Sequence, residues 1–360
     1  MTVQTEATTK FSLNGEQLKV IQTAIKGLKH SRKETILTNV RFNVSNYEVT
    51  FEAVDKDNHV LLTFPINNQA EGMMVIDKSV LKDLKMGKND TVEFETEHDQ
   101  IKISVNGLTT LRPKETEFCE PLAYENGLTF NVNSRYVKSL GNALKFVSQS
   151  EIRPVLQGIS HTENHIVCTD SHKLYKCGDL HTFKDGNFTL HSSTAKLVFD
   201  LMKTKKSDIL MSVSANENQV RYETGNVVIT GNIIDGSFPV TRNMFPQNFR
   251  TELHLNENEV KEMAKTIKAM LPYTTKDTST IKFKISDNSL TIISLNMTEK
   301  TVGEEVVREH VETSKIVYEN LNTQGEDIKI AMNGNDLLIA LEQQKGEGLN
   351  IKFTGLCPHS

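Results

Sequence analysis

"FSLNGEQLKVIQTAIKGL", residues 11–28, opens as a short alternating strand and changes period at Asn14. From there Leu18, Ile21, Ile25 and Leu28 follow one another in steps of three, four and three, the apolar stripe of an amphipathic helix, and Asn14 stands where an N-cap belongs. The pattern returns as "FNVNSRYVKSLGNALKFV", residues 130–147, and as "LHLNENEVKEMAKTIKAM", residues 253–270. In the second copy the stripe is Val137, Leu140, Leu144 and Val147 behind Asn133, and in the third it is Val260, Met263, Ile267 and Met270 behind Asn256. Three copies of a strand-to-helix unit, spaced by the length of a small domain, fix the organisation of the chain before any motif is considered.

The polar side repeats with the apolar one. Lys19, Lys138 and Lys261 share one register position, and Lys26, Lys145 and Lys268 share another. At about 100° per residue these lysines lie about 130° from the centre of the stripe and face away from the core. Lysine on a single exposed helix is ordinary, but its return at every matched position points to a shared electrostatic task. A second helix follows in each copy, "VLKDL" at 80–84, "LVFDL" at 197–201 and "LLIAL" at 337–341, running toward Lys88, Lys205 and Lys345. Alternating runs such as "VRFNV" and "VTFEAV", parted by polar turns, supply antiparallel strands. The expected fold class is α+β, with three repeated domains, each carrying two helices on one face and antiparallel sheets on the other. The expected boundaries are a tail over 1–9 and domains over 10–124, 125–249 and 250–360, with short junctions at 112–127 and 238–252.

Composition narrows the function classes. With 360 residues, 24% charged, 37% hydrophobic and a formal net charge of -5, the chain is neither a basic nucleic-acid coat nor a disordered acidic tail. Distribution of lysine, not its sum, then decides whether it meets phosphate. Cys119, Cys168, Cys177 and Cys357 form no CxxC pair and no zinc spacing, so they are expected as reduced thiols, with no metal and no cofactor. The polar start "MTVQTEATTKF" and the lack of any run near the ~18 apolar residues of a membrane span point to a cytoplasmic protein without membrane contact.

The letters of a hydrolase occur once, in "CTDSHKLY", residues 168–175, where Asp170, Ser171 and His172 are neighbours. Read as a strand end, the stretch puts Ser171 on the opposite face from Asp170 and His172, which forbids a triad. No G-x-S-x-G, GxxxxGK[ST] or HExxH motif is present, so no catalytic residue is expected.

In the middle copy "SEIRPVLQGI" (150–159), "CTDSHKLY" (168–175) and "IDGSFPVTRNMFP" (234–246) stand in that order. The combination resembles the bacterial DNA polymerase III beta sliding clamp family, from about Lys10 to Gly355. The resemblance implies a ring of two head-to-tail subunits, with helices lining a hole around double-stranded DNA and sheets outside. It also implies a replication processivity factor with no enzymatic activity, working in the cytoplasm at the nucleoid, or in a host's cytoplasm for a phage-borne member. Its partners would be a replicative DNA polymerase and an ATP-dependent clamp loader, since the chain has no ATP motif of its own.

By the same resemblance the DNA-facing set is Lys19, Lys26, Arg32, Lys88, Lys138, Lys145, Lys205, Lys261, Lys268 and Lys345. The pocket for a partner peptide would use Leu156, Thr169, Ser171, His172, Lys173, Leu174, Pro239, Asn243 and Met244, with leucine, proline and methionine as an apolar floor and Thr169 and His172 as a polar rim. Ser171, Lys173 and Asn243 depart from the family's usual small, arginine and basic residues. Met270 and Leu271 fall where the family closes its dimer. After "IKFTG" the family continues into further strands, so an incomplete third sheet and a weakened partner site are expected here. The competing reading is a DNA-binding repeat protein that uses the same lysines without forming a ring.

Overall fold

The computed structural model describes residues 8–29, 34–178, 180, 187–203, 210–302, 305–344 and 346–354. They form two compact units, Met1–Phe238 and Pro239–Ser360.

The first unit begins with β1 (Lys10–Asn14), α1 (Gly15–Gly27), β2 (Asn39–Val54), β3 (Asn58–Asp77), α2 (Lys78–Asp83), β4 (Thr91–Glu97), β5 (Gln100–Val105) and β6 (Leu108–Pro113). It continues with β7 (Leu128–Val132), α3 (Ser134–Ala143), β8 (Gly158–His161), β9 (His165–Thr169), β10 (Leu174–Gly178), β11 (Phe188–His191), α4 (Ser192–Met202), β12 (Met211–Ala215), β13 (Gln219–Thr224) and β14 (Val227–Asn232). Three sheets result, in the orders β1-β4-β5-β6, β10-β9-β8-β11 and β2-β3-β14-β13-β12-β7. The last carries the first two sequence repeats in one ladder, because β14 pairs with β3 from Val227 opposite Leu62 to Gly231 opposite Asn58.

The local reasons match the reading of the sequence. Asn14 accepts from the Gln17 amide while the Gln17 side chain returns to the Asn14 amide, a reciprocal capping box. Asn133 caps α3 through the amides of Arg135 and Tyr136. Leu18, Ile21, Ala24 and Ile25 bury the inner side of α1, over a cluster in which the Phe11 ring stacks on Phe94 at 5.1 Å and tilts against Phe42 at 5.2 Å. Helices α1 and α3 both pack on α4. Glycine permits the approach: a Cβ on Gly27 would stand 2.3 Å from Leu197 Cδ2, and one on Gly141 would stand 2.3 Å from the Phe199 ring.

Helix α3 is shorter than the stripe implies. It ends at Ala143, after which Lys145 N bonds to Asn142 O and Phe146 N to Ala143 O, so the chain tightens into turns that bury Phe146 and Val147. Those two side chains enter the core by a route the helical period does not describe. In the same core the Tyr136 hydroxyl lies 2.8 Å from both His161 Nε2 and the Tyr222 hydroxyl. Burial raises the pKa of both phenols, which stay neutral.

The second unit holds β15 (Thr251–Leu255), α5 (Glu257–Met270), β16 (Thr280–Ser286), β17 (Ser289–Val302), β18 (Glu305–Tyr318), β19 (Asn322–Gly325), β20 (Ile328–Asn333), α6 (Gly334–Gln343) and β21 (Leu349–Phe353). Its sheets run β19-β15-β21 and β18-β17-β16-β20. Asn256 and Glu259 repeat the capping box at the start of α5. Within the acidic stretch 295–327, residues 295–302 and 305–318 lie in the paired strands β17 and β18, and residues 322–325 form β19. Among the described residues β15 has β21 on one side and β19 on the other, whereas β1 and β7 each begin a run of four strands that ends at β6 and β14. No described helix is long and apolar enough to cross a membrane.

Candidate nucleic-acid face and partner surface

The helices present their lysines as the register requires. Lys19 and Lys26 on α1, Lys138 on α3, and Lys261 and Lys268 on α5 are all exposed. Lys145 is exposed too, but it lies in the turn beyond α3, so its place on the face comes from that turn and not from helical period. Lys88 reaches back to the first turn of α1, where its ammonium sits 2.8 Å from Glu16 and gains a raised pKa from that carboxylate. Lys261 pairs with Glu257 one turn earlier. Arg32, Lys205 and Lys345 lie outside the described residues.

Two further groups of cations were not singled out from the sequence. Lys265 falls between Lys261 and Lys268 on the same stripe of α5 and is exposed, a position legible from steps of four and three. On α4, Lys196 and Lys203 flank Asp200 and both pair with it. Burial pushes the Asp200 carboxyl up, but hydrogen bonds from the two ammoniums outweigh it and hold the group below its ordinary value. Helix α4 packs on both α1 and α3, and both lysines are exposed.

Residues 170–173 form a turn between β9 and β10 and not a strand, which corrects the period-two argument applied to them. Ser171 has φ 81°, and Asp170 Oδ1 accepts from the amides of His172 and Lys173, each at 2.9 Å. The Thr169 hydroxyl donates to Lys173 O at 2.7 Å and receives the Ser171 amide at 3.0 Å. Burial raises the Asp170 carboxyl, yet the Lys173 and His172 amides and the Lys173 ammonium at 3.3 Å hold it low. The carboxylate therefore builds the loop through main-chain amides, which is not how an acid orients a catalytic imidazole.

This turn shows Ser171 and His172 to solvent and leaves Lys173 and Leu174 half-buried. Leu156, in the 3-10 turn Pro154–Gln157, is only 3% exposed and lies in the core, and Thr169, 6% exposed, holds the turn by its hydroxyl. Within the second unit Pro239 is half-buried and Asn243 and Met244 are exposed, Met244 at 56%. Met270 belongs to that unit's core, and Leu271 packs partly against the same cluster. Tyr273, 59% exposed, is the apolar side chain that the adjoining 3-10 turn offers to solvent. Among the described residues no cluster of His, Cys, Asp and Glu could hold a metal ion.

Comparison with known proteins places this arrangement. No family model matches the chain. It is 23% identical over 344 residues to the Beta sliding clamp of Staphylococcus aureus, covering 89% of this chain and 86% of the relative. It is 24% identical over 351 residues to the Beta sliding clamp of Halalkalibacterium halodurans, with the same coverage of 89% and 86%. Among solved structures it is similar to a DnaN sliding clamp (DNA polymerase III subunit beta) from Pseudomonas aeruginosa bound to griselimycin. The TM-score is 0.80 at 15% identity, with 97% of this chain and 94% of that one covered. It is also similar to DNA polymerase III, beta subunit, from Thermotoga maritima, with TM-score 0.77 at 20% identity over 97% and 93%. The likeness in fold thus runs nearly the full length of both molecules.

Proposed function

We infer that this chain is a DNA sliding clamp of the bacterial beta family, a replication processivity factor that encircles duplex DNA and tethers a polymerase to it. The observation that carries the reading is the repeat itself: N-capped helices whose apolar sides are buried and whose lysines recur, exposed, at matched positions. Exposed ammonium groups attract phosphate without reading bases, which suits a protein that must slide. The net charge of -5 is no obstacle, because the cations are gathered on helices.

Ring closure by a second copy follows from edges already seen. In the first unit β14, the last strand of its run of four, pairs with β3. Strand β6 ends the matching run and has no neighbour beyond it among the described residues, with Leu108 71% and Leu111 53% exposed. Strand β18 is likewise the outer strand of its sheet and exposes Val307, Val311 and Val317. We assign β6 of one copy and β18 of the next to the dimer contact, an antiparallel pairing of two unfilled edges, with Leu271 and Tyr273 beside it and Met270 packed beneath. The turn Asp170–Leu174 is assigned to partner docking, with His172 and Leu174 offering a polar and an apolar contact to a short peptide. A replicative polymerase is the natural owner of that peptide, and an ATP-dependent loader must open the ring.

The test is topological. The protein loaded on nicked circular DNA should remain bound through high salt and be lost when the circle is cut. Equal salt sensitivity on circular and linear DNA would sink the clamp reading and favour a repeat protein that binds phosphate directly.

A further inference from the structure

A cavity of about 430 Å³ opens at the junction of the first two repeats, entirely within the first unit. Its walls come from four places: the 3-10 turn Thr35–Thr38, the β2–β3 turn, the segment Cys119–Leu122, and strands β13 and β14. The apolar wall holds Ile36, Leu37, Pro121 and Leu122, of which Leu122 is 77% exposed and Ile36 36%. On the β14 side stands Thr230, 3% exposed, whose hydroxyl has no hydrogen-bond partner among the described residues. An unpaired buried hydroxyl destabilises the free protein and needs an explanation. A ligand that accepts its proton supplies one.

The charges in the lining are unequal. Glu34, Asp55, Asp57 and Glu120 face a single ammonium, Lys56. Lys56 pairs with Glu34 at 3.1 Å, Lys29 reaches Asp57 from outside at 2.7 Å, and Arg41 reaches Glu120. These pairings still leave the mouth with more carboxylates than cations. The construction also repeats that of the middle copy. Asp55 Oδ1 accepts from the amides of Asp57 and Asn58 at 2.8 and 2.7 Å, just as Asp170 does from His172 and Lys173. A 3-10 turn precedes the strand in both cases, Thr35–Thr38 here and Pro154–Gln157 there.

We propose that this cavity is a second peptide-docking site, for a short extended partner segment with an apolar side chain and a neighbouring basic one. The apolar side chain packs on Ile36, Pro121 and Leu122, the basic one meets Glu34 and Glu120, and a main-chain carbonyl accepts from the Thr230 hydroxyl. The choice of a peptide rests on the docking role assigned to the Asp170 turn. The site differs from that turn in charge balance, since there Lys173 is matched by Asp170 and here carboxylates outnumber cations, so the two would take different partners.

The experiment is fluorescence anisotropy of the full chain with two fluorescein-labelled tetrapeptides, Lys-Leu-Leu-Lys and Glu-Leu-Leu-Glu. The lysine probe should bind saturably and more tightly than the glutamate probe. Leu122→Glu and Thr230→Val should each weaken it about tenfold, and Leu174→Glu should not. Thr230→Val should at the same time raise the thermal midpoint of the free protein, because it removes an unpaired hydroxyl; a purely structural threonine would lower it. Absence of saturable binding, or equal binding by wild type, Leu122→Glu and Thr230→Val, would overturn the proposal. Loss only on Leu174→Glu would overturn it as well, by placing the probe on the Asp170 turn, and would leave the docking role of that turn standing.

Discussion

Strands β14 and β6 end equivalent runs of four, and they have opposite fates. Along β14 four of six residues are buried, because β3 lies beside it and the Asn226 side chain donates to Thr63 O across the seam. Along β6 every residue is exposed. Their sequences, "VVITGN" and "LTTLRP", are both able to form an edge. A strand's burial thus depends on what pairs with its outer side, and β6, which shows two leucines and has no neighbour beyond it among the described residues, is the edge we give to a second copy.

The comparison can be broken from either side. The largest effect is expected at the ionic cluster behind the filled seam, where Arg41 bonds to Glu52 at 2.6 Å and His59 Nε2 lies 2.9 Å from the same carboxylate. Arg41 also pairs with Glu120 and lies 4.2 Å from the Phe118 ring, which fastens the segment between the repeats. Glu52→Gln should cost about 3 kcal/mol in urea unfolding, since the half-buried Arg41 keeps Glu120 but loses the charge of its buried partner, as does His59. Burial pushes the Glu52 carboxyl up, but bonds from His59 and Arg41 prevail and hold it below its ordinary value. Its contribution is therefore complete above the unfolded carboxylate pKa of about 4.3 and is lost as pH falls through the lower folded value. The stability gap between wild type and Glu52→Gln should narrow in acid; a gap that widens would mean the pair does not act as described.

Leu62→Ala, in β3 against β14, should cost about 3 kcal/mol by the cavity it leaves. Leu108→Asp with Leu111→Asp should leave the unfolding midpoint of the monomer nearly unchanged and weaken self-association about a hundredfold, read by sedimentation equilibrium. If it unfolds the chain instead, β6 is core and the contrast with β14 fails. Smallest is Asp170→Asn, about 1 kcal/mol from weaker acceptance of the His172 and Lys173 amides. Its sharper effect should be a looser docking turn, seen as faster amide exchange at those two residues.

Some of this was plain in the letters and some was not. The three caps and the stripes of α1 and α5 were legible, because a helix is specified by neighbours three and four residues away. The end of α3 was missed, since Val147 satisfies the stripe on paper but, with Phe146, reaches the core through turns. "CTDSHKLY" misled by composition: Thr and Leu flank a turn that Asp170 and Thr169 hold closed by side-chain bonds to the main chain, a chemistry that strand alternation does not capture. Lys265 was readable by the rule that found its neighbours, whereas Lys196 and Lys203 stand at no position where the three repeats share a lysine.

By itself the sequence determined the threefold repeat, the capped helices and the side on which their lysines lie, all set by short-range periodicity and hydrogen bonding. Tertiary structure alone decided which edge is filled, what Thr230 faces and how the carboxylates gather at one cavity. Those outcomes depend on segments distant in the chain, Leu62 against Val227 or Ile36 near Thr230, whose meeting no local pattern encodes.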